Sequence, residues 1–338
     1  MNISRCVTPE VLRTISQHGF GADCVSGGEV EVAHQHGFNA SNIVFAGVGK
    51  ADWEINRALE LDIQCFNVES LPELEIINEL ATAQKKVAKV AFRINPNVDA
   101  RTHAKITTGL NENKFGLAID DTIPAIRRAQ ALSNIEFVGL HFHIGSQITD
   151  LTPFSELCTC INELQVQLEE AGITVPTLNV GGGLGVNYEQ PDADAIPNFA
   201  AYFTIFKQEL QLREGQSVHF ELGRSIVAQC GSLISRVLYV KEGQVKRFVI
   251  VDAGMTDLVR PAMYGSLHQI DNLSHPEAPQ AQFDVVGPIC ESSDVFASDY
   301  KLPTPKRGDL LAFRSAGAYG EIMASQYNCR RLPGHIAE

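Results

Sequence analysis

The sequence predicts an α/β protein of parallel strands joined by crossover helices, followed by an all-β domain. Three observations lead there. From Ala22 to Gly223, short apolar, β-branched runs alternate with amphipathic stretches of helical length. Those runs end in polar or glycine residues, namely Ser26, Gly47, Glu69, Asn95, His143, Gly181 and Glu221. A TIM-type barrel presents functional groups at its strand C-termini in this way. After Arg224 the long helical stretches cease, and strands separated by Gly, Pro and polar turns take over.

The chain opens with a helical run, "VTPEVLRTIS", that carries Val11, Leu12 and Ile15 on one face with no strand ahead of it. The strand candidates are "ADCVS", "IVFAG", "CFNVE", "KVAFRIN", "FVGLHFH", "TLNVGGG" and "VHFELG". Between them lie "ADWEINRALEL", "LPELEIINELATA" and "FSELCTCINELQVQLEEAG", the last closing on Gly172 as a helix C-terminus should. A closed barrel of this type has eight strands, so the eighth would have to precede residue 1; an open doubly wound sheet tolerates seven, and the count alone does not choose. The second domain contributes "LISRVLYVKEG", "KRFVIVDAG", "FDVVGP" and "LLAFRSAG". The expected division is 1–224 for the barrel and 225–338 for the β domain.

Composition narrows the chemistry. With 338 residues, 44% hydrophobic and 20% charged, the chain is globular and has ample core material. Its formal net charge of −13, from 27 basic and 40 acidic side chains, repels polyanions and disfavours nucleic-acid binding. No stretch approaches about 18 uninterrupted apolar residues and no basic segment leads into an apolar one, so the expectation is a soluble, cytoplasmic protein without a membrane partner. The eight cysteines form no CxxC pair and are expected as reduced thiols, mostly small buried hydrophobes, with Cys290 set apart.

Several segments carry candidate chemistry. "HFHIGSQ" puts His141 and His143 two apart on a strand, hence on one face; a zinc pair lacks a third ligand at recognisable spacing, while a positioned imidazole or a merely satisfied histidine also accounts for it. "NVGGGLG" places Gly181, Gly182, Gly183 and Gly185 where bare backbone lets amides approach a phosphate, or where a tight turn packs closely. "FELGRS" sets Glu221 and Arg224 after an apolar run, as an ion pair or as ligand-binding groups. "GPICESSD" carries Cys290, Glu291 and Asp294; "LVRPAMYG" offers Arg260 and Tyr264; "SAGAYG" offers Tyr319.

Taken in order with "GADCVSGGE", "IVFAGVGK", "FNVES", "RINPNVDA", "TGLNENKFG" and "AGAYGEIMASQYN", these segments resemble the diaminopimelate decarboxylase family from about Val7 to Leu332. The resemblance implies a fold-type-III pyridoxal 5'-phosphate enzyme with an alanine-racemase-like (β/α)8 barrel and a C-terminal β domain. It implies that His143 stacks on the cofactor ring, that Gly182, Gly183 and Gly223 meet its phosphate, and that Glu221 holds the pyridine nitrogen protonated. Arg224 and Tyr319 would touch both cofactor and substrate. With Arg260, Tyr264 and Glu291 they would grip the far end of meso-2,6-diaminopimelate, giving L-lysine and CO₂. Cys290 would be a proton donor supplied across a homodimer interface, and no metal is implied. One departure is "ELGR" in place of the usual E-P-G-R.

The other concerns the Schiff-base lysine. In the family it ends the first strand, in a segment like Y-A-x-K-A-N, five residues before a proline that aligns with Pro9; counting back reaches Ser4. No lysine precedes Lys50, and Lys50 in "GVGK" follows a later strand and is not assigned the role. The resulting expectation is a diaminopimelate decarboxylase incomplete at its N-terminus, impaired in activity and, with two sheet edges unpaired, poorly soluble. The alternatives are a catalytically dead homologue acting as a binding or regulatory partner, or a related ornithine, arginine or carboxynorspermidine decarboxylase.

Overall fold

The computed structural model describes residues 3, 8–100 and 114–336, which divide into two compact units, Met1–Gly185 with Asn198–Gly223, and Val186–Pro197 with Arg224–Glu338. Val186–Pro197, which the sequence reading leaves within the barrel segment, thus groups with the second unit, as does Arg224.

The first unit repeats strand and helix. Its strands are β1 (Ala22–Cys24), β2 (Ile43–Phe45), β3 (Cys65–Val68), β4 (Ala88–Arg93), β5 (Ile135–His141), β6 (Thr177–Asn179) and β7 (Ser217–His219). Its helices are α1 (Pro9–Gln17), α2 (Gly27–Gln35), α3 (Asp52–Leu61), α4 (Leu71–Ala83), α5 (Thr122–Gln130), α6 (Thr152–Glu170) and α7 (Phe199–Glu209). Local chemistry starts and stops these helices. Ser26 and Ser70 accept the Glu29 and Glu73 amides as caps of α2 and α4, and Pro9 and Pro153 stand in first turns, where a missing N–H costs nothing. On α6 the residues Phe154, Leu157, Cys158, Ile161, Leu164 and Leu168 follow the helical period and are all buried. Past its end Gly172 takes φ +68° and donates to the Glu169 carbonyl at 2.9 Å.

All seven strands are parallel and lie in the order of the chain, β1 through β7. A doubly wound sheet reverses its order at a switch point; this one does not, so the winding is that of a barrel. Among the described residues β1 and β7 are its edges. Glu221, expected on the last strand, stands two residues beyond β7.

The second unit contains the short helices α8 (Arg224–Val227) and α9 (Arg260–Tyr264) and the strands β8 (Leu233–Glu242), β9 (Arg247–Val251), β10 (Ile270–Asn272), β11 (Gln280–Val286), β12 (Val295–Pro303) and β13 (Leu310–Phe313). They form one sheet ordered β10-β13-β8-β9-β11-β12, antiparallel except between β9 and β11. Val249, Val285, Phe283, Phe296, Leu302 and Phe313 build its core, with the rings of Phe296 and Phe313 centred 4.4 Å apart. β10 and β12 had no counterpart among the four sequence candidates.

Of the described cysteines, all free, Cys24, Cys65 and Cys158 are buried, and burial pushes the Cys65 and Cys158 thiols up to about 12. Cys290, set apart in the sequence, is exposed, and so are Cys230 and Cys329, where the expectation of a buried thiol fails. No described helix is long and apolar enough to cross a membrane.

Candidate active site

In the first unit the chemistry gathers at the strand ends. His141 closes β5 and its Nε2 lies 3.1 Å from Glu221 Oε2; His143, on the same face two residues later, reaches the same oxygen with Nδ1 at 4.0 Å. Asn179 closes β6, donates through Nδ2 to Glu221 Oε1 at 2.7 Å, and accepts the Gly181 N–H at 3.0 Å. Glu221 is 6% exposed. Burial alone would raise its carboxyl, but His141 first, then His143 and the Asn179 bond, outweigh that and hold it below the usual carboxylate range. The result is a fixed buried anion. His141 Nδ1 has no hydrogen-bond partner among the described residues.

The glycines between these groups are required by close backbone approach. A Cβ on Gly181 would stand 2.3 Å from the Phe142 carbonyl oxygen, one on Gly182 2.3 Å from that of Glu221, and one on Gly183 2.8 Å from that of Gly145. The Gly182 N–H points at His143 Nδ1, 3.4 Å away. Among the described residues no group of three or more His, Cys, Asp or Glu side chains is placed to hold a metal, and the two histidines converge on Glu221 instead.

Lys50 is consumed elsewhere. Its Nζ donates to the carbonyls of Gly47 and Asn67 at 2.8 and 2.9 Å and to Glu73 Oε1 at 2.6 Å. Glu69, which the sequence marked only as a strand end, accepts from the Gly47 amide, Arg93 and the Gly116 amide at 3.0–3.1 Å, tying three loops together. Ser4 lies outside the described residues. A cavity of about 240 Å³ runs inside the sheet from Lys89, Glu136 and Thr177 at the strand starts to Asn67 and Asn179. Asn179 lines it and also bonds Glu221, so the cavity adjoins this cluster.

In the second unit, Tyr188 organises the cations. Its hydroxyl oxygen accepts from Arg224 Nη1 and from Arg260 Nη1, each at 2.7 Å. Arg224 also lies over the Tyr319 ring, Cζ to centroid 4.7 Å. Tyr319 has φ +58°, and the small residues around it are obligatory: a Cβ on Gly317 would meet the Val227 carbonyl oxygen at 2.1 Å and one on Gly320 that of Ala316 at 2.3 Å. Arg260 opens α9 and Tyr264 closes it, half-buried. Cys290 and Glu291 sit apart from this cluster on an exposed turn, where the Tyr327 hydroxyl donates to Glu291 Oε1 at 2.6 Å.

The structure therefore brings His143, Gly182, Gly183 and Glu221 together in one unit, and Arg224, Arg260 and Tyr319 in the other. Sequence reasoning missed Asn179, His141 as the partner of Glu221, and Tyr188. Asn179 stands two residues before Gly181, a signal the sequence offers; Tyr188 has none.

Residues 4–228 match the pyridoxal-dependent decarboxylase family over its pyridoxal binding domain. The diaminopimelate decarboxylase of Bacteroides thetaiotaomicron is 60% identical over 325 residues, 96% of this chain and 84% of that protein. The chain belongs to the diaminopimelate decarboxylase family. The Helicobacter pylori diaminopimelate decarboxylase complexed with L-lysine is similar in structure, with a TM-score of 0.91 at 41% identity over 97% of this chain and 81% of that one. The M. jannaschii diaminopimelate decarboxylase in co-complex with L-lysine gives 0.86 at 40% identity, over 97% and 76%.

The donor set fits the pyridoxal phosphate of a diaminopimelate decarboxylase. Glu221 offers a buried anion for a protonated ring nitrogen, and the orphaned Nδ1 of His141 beside it marks a polar lining. Glycine backbone without side chains stands next to both.

Proposed function

We propose that this chain carries the site for pyridoxal phosphate-dependent decarboxylation of meso-2,6-diaminopimelate to L-lysine and CO₂, with turnover impaired because no lysine before Lys50 is there to form the Schiff base. The observation that carries the substrate is the pair of buried guanidiniums, Arg224 and Arg260, converging on one point. A substrate with a second amino-acid head brings a distal carboxylate for such forks, whereas ornithine does not.

Pyridoxal phosphate, when bound, supplies the sink for the electrons left behind by CO₂. The chain's other residues would prepare the site. Glu221 would keep the ring nitrogen protonated, and His141 and Asn179 hold Glu221 ionised and in place. His143 would pack against the ring, and the amides of Gly182, Gly183 and Gly223, with Arg224 and Tyr319, would hold the phosphate. Arg224 and Arg260 would take the distal carboxylate; Tyr264, with Glu291 carried on the same partner-subunit turn as Cys290, would take the distal ammonium. Cys290 Sγ would donate the proton to the carbon that has lost CO₂, from the partner subunit of a cytoplasmic homodimer.

Turnover of meso-diaminopimelate with added pyridoxal phosphate, followed as CO₂ and lysine, tests this reading. A preference for ornithine or arginine over diaminopimelate would overturn it.

A further inference from the structure

We propose that Tyr188 is a positioning residue that sets substrate specificity: its phenolic oxygen spaces the Arg224 and Arg260 guanidiniums so that together they receive one carboxylate. The proposal rests on the reading above that these arginines take the substrate's distal carboxylate.

Two cations held 2.7 Å from one oxygen in a buried setting repel strongly, and something must lie between them. Tyr188 is 6% exposed, Arg224 6% and Arg260 3%, so water does little of that work. A hydroxyl has two acceptor sites and no charge, which lets it join both forks without neutralising either. An acidic side chain in its place would satisfy the pair permanently and leave nothing for a ligand. The Arg260 guanidinium also lies over the Tyr188 ring, 4.3 Å from its centroid, so the ring and the oxygen fix the fork together. Arg260 Nη2 is held by Ser266 Oγ at 3.1 Å, while its Nε finds no acceptor among the described residues, leaving donor capacity for a carboxylate.

His268 completes the arrangement. Its ring meets that of Tyr188 edge-on, centroids 4.8 Å apart, and its Nδ1 lies 2.8 Å from the Arg314 carbonyl oxygen and so carries the hydrogen. Nε2 is then bare, with no partner among the described residues. Burial foremost, opposed by the Arg314 carbonyl and aided by the two arginines, pulls this imidazole down to about 4. It buttresses Tyr188 without adding a third charge. Burial, reinforced by Arg224 and opposed by Tyr188, brings Arg260 to about 10, still cationic at neutral pH.

The test measures binding of L-lysine and of cadaverine, which is lysine without its carboxylate, to the pyridoxal phosphate-loaded protein. Tyr188→Phe keeps the ring and removes the oxygen. It should weaken L-lysine about tenfold, as expected for a lost hydrogen bond to a charged group, and leave cadaverine where it was. Unchanged lysine binding, or equal weakening of both ligands, overturns the proposal. Arg260→Gln separates the two levels. If it fails to erase the preference for lysine, or the parent has none, the underlying reading falls and the proposal with it. If it erases the preference while Tyr188→Phe behaves as the parent, the proposal alone falls.

Discussion

His141 and Glu221 lie 80 positions apart in the chain, yet their Nε2 and Oε2 atoms stand 3.1 Å apart in the interior of the first unit. The pair exists because parallel strands in chain order bring β5 and the segment after β7 to one end of one sheet. It makes Glu221 an anion whose charge is fixed by the fold. Replacing Glu221 with Gln preserves the shape and the bond from Asn179 but removes that charge, and turnover should fall roughly 10²–10³-fold while cofactor still binds. The sign of the pH effect follows from the lowered carboxyl: its stabilisation is present above the unfolded carboxylate range and is lost as pH falls through the folded value. Urea midpoints of parent and variant should therefore differ at pH 7 and draw together on strong acidification. A gap that stays constant with pH would contradict the ionised state assigned to Glu221.

Lys50 and Glu73 give the opposite sign. Their side chains are 1% and 9% exposed, and Lys50→Met would leave a buried carboxylate unpaired, costing about 3–5 kcal/mol. Burial already raises the Glu73 carboxyl, with Lys50 pulling against it. Removing Lys50 raises it further. An acid with a raised folded pKa favours the folded state when protonated, so the variant should regain stability as pH falls and lose it as pH rises through that pKa. With its hydrogens committed to three acceptors, Lys50 should also carry no label after borohydride reduction in the presence of pyridoxal phosphate. A labelled Lys50 peptide would refute the structural role.

Much of this was legible in the sequence, for physical reasons. Strands buried on both faces read as continuous apolar runs, and their polar or glycine ends announce the functional rim, so β1 to β7 and His143, Gly182 and Glu221 stand out. β12 was missed because Ser298 and Asp299, the latter at φ +50°, interrupt its alternation, and β10 has too few residues to show one. Tyr188 was missed because its partners lie 36 and 72 residues away and no spacing announces such a meeting. The Glu69 loop tie is hidden in the same way, since two of its three donors are backbone amides.

Gly182 separates steric need from flexibility. A methyl there would stand 2.3 Å from the Glu221 carbonyl oxygen, a backbone atom that cannot swing aside. Gly182→Ala should cost about 1–3 kcal/mol and shift Glu221, reducing cofactor affinity as well. Gly28, in the first turn of α2, meets only Ser26 Oγ at 3.7 Å, and Gly28→Ala should raise stability by about 0.5–1 kcal/mol. Thermal melts of the two variants should move in opposite directions; a Gly182→Ala melt at or above the parent's would mean that Gly182 is not held by the close approach.

Asp294 anchors the turn that bears Cys290 and Glu291. Its Oδ1 accepts the Met255 N–H at 2.6 Å and its Oδ2 the Ile289 N–H at 2.7 Å, and Gly287 and Gly254 are glycines because a Cβ at either would come within 2.3 and 3.0 Å of Oδ2. Asp294→Asn turns one acceptor into an NH₂ facing a backbone N–H, leaving buried donors unmatched at a cost of about 1–3 kcal/mol. The turn loosens, so both the melting temperature and the rate of lysine formation should drop. Cys290 is exposed, and Cys290→Ser should keep stability within about 0.5 kcal/mol while slowing proton delivery and hence the rate. The pair of variants distinguishes holding the turn from acting at its tip. If Asp294→Asn melts as the parent does, the turn is held by something else; if Cys290→Ser turns over at the parental rate, the proton comes from another group.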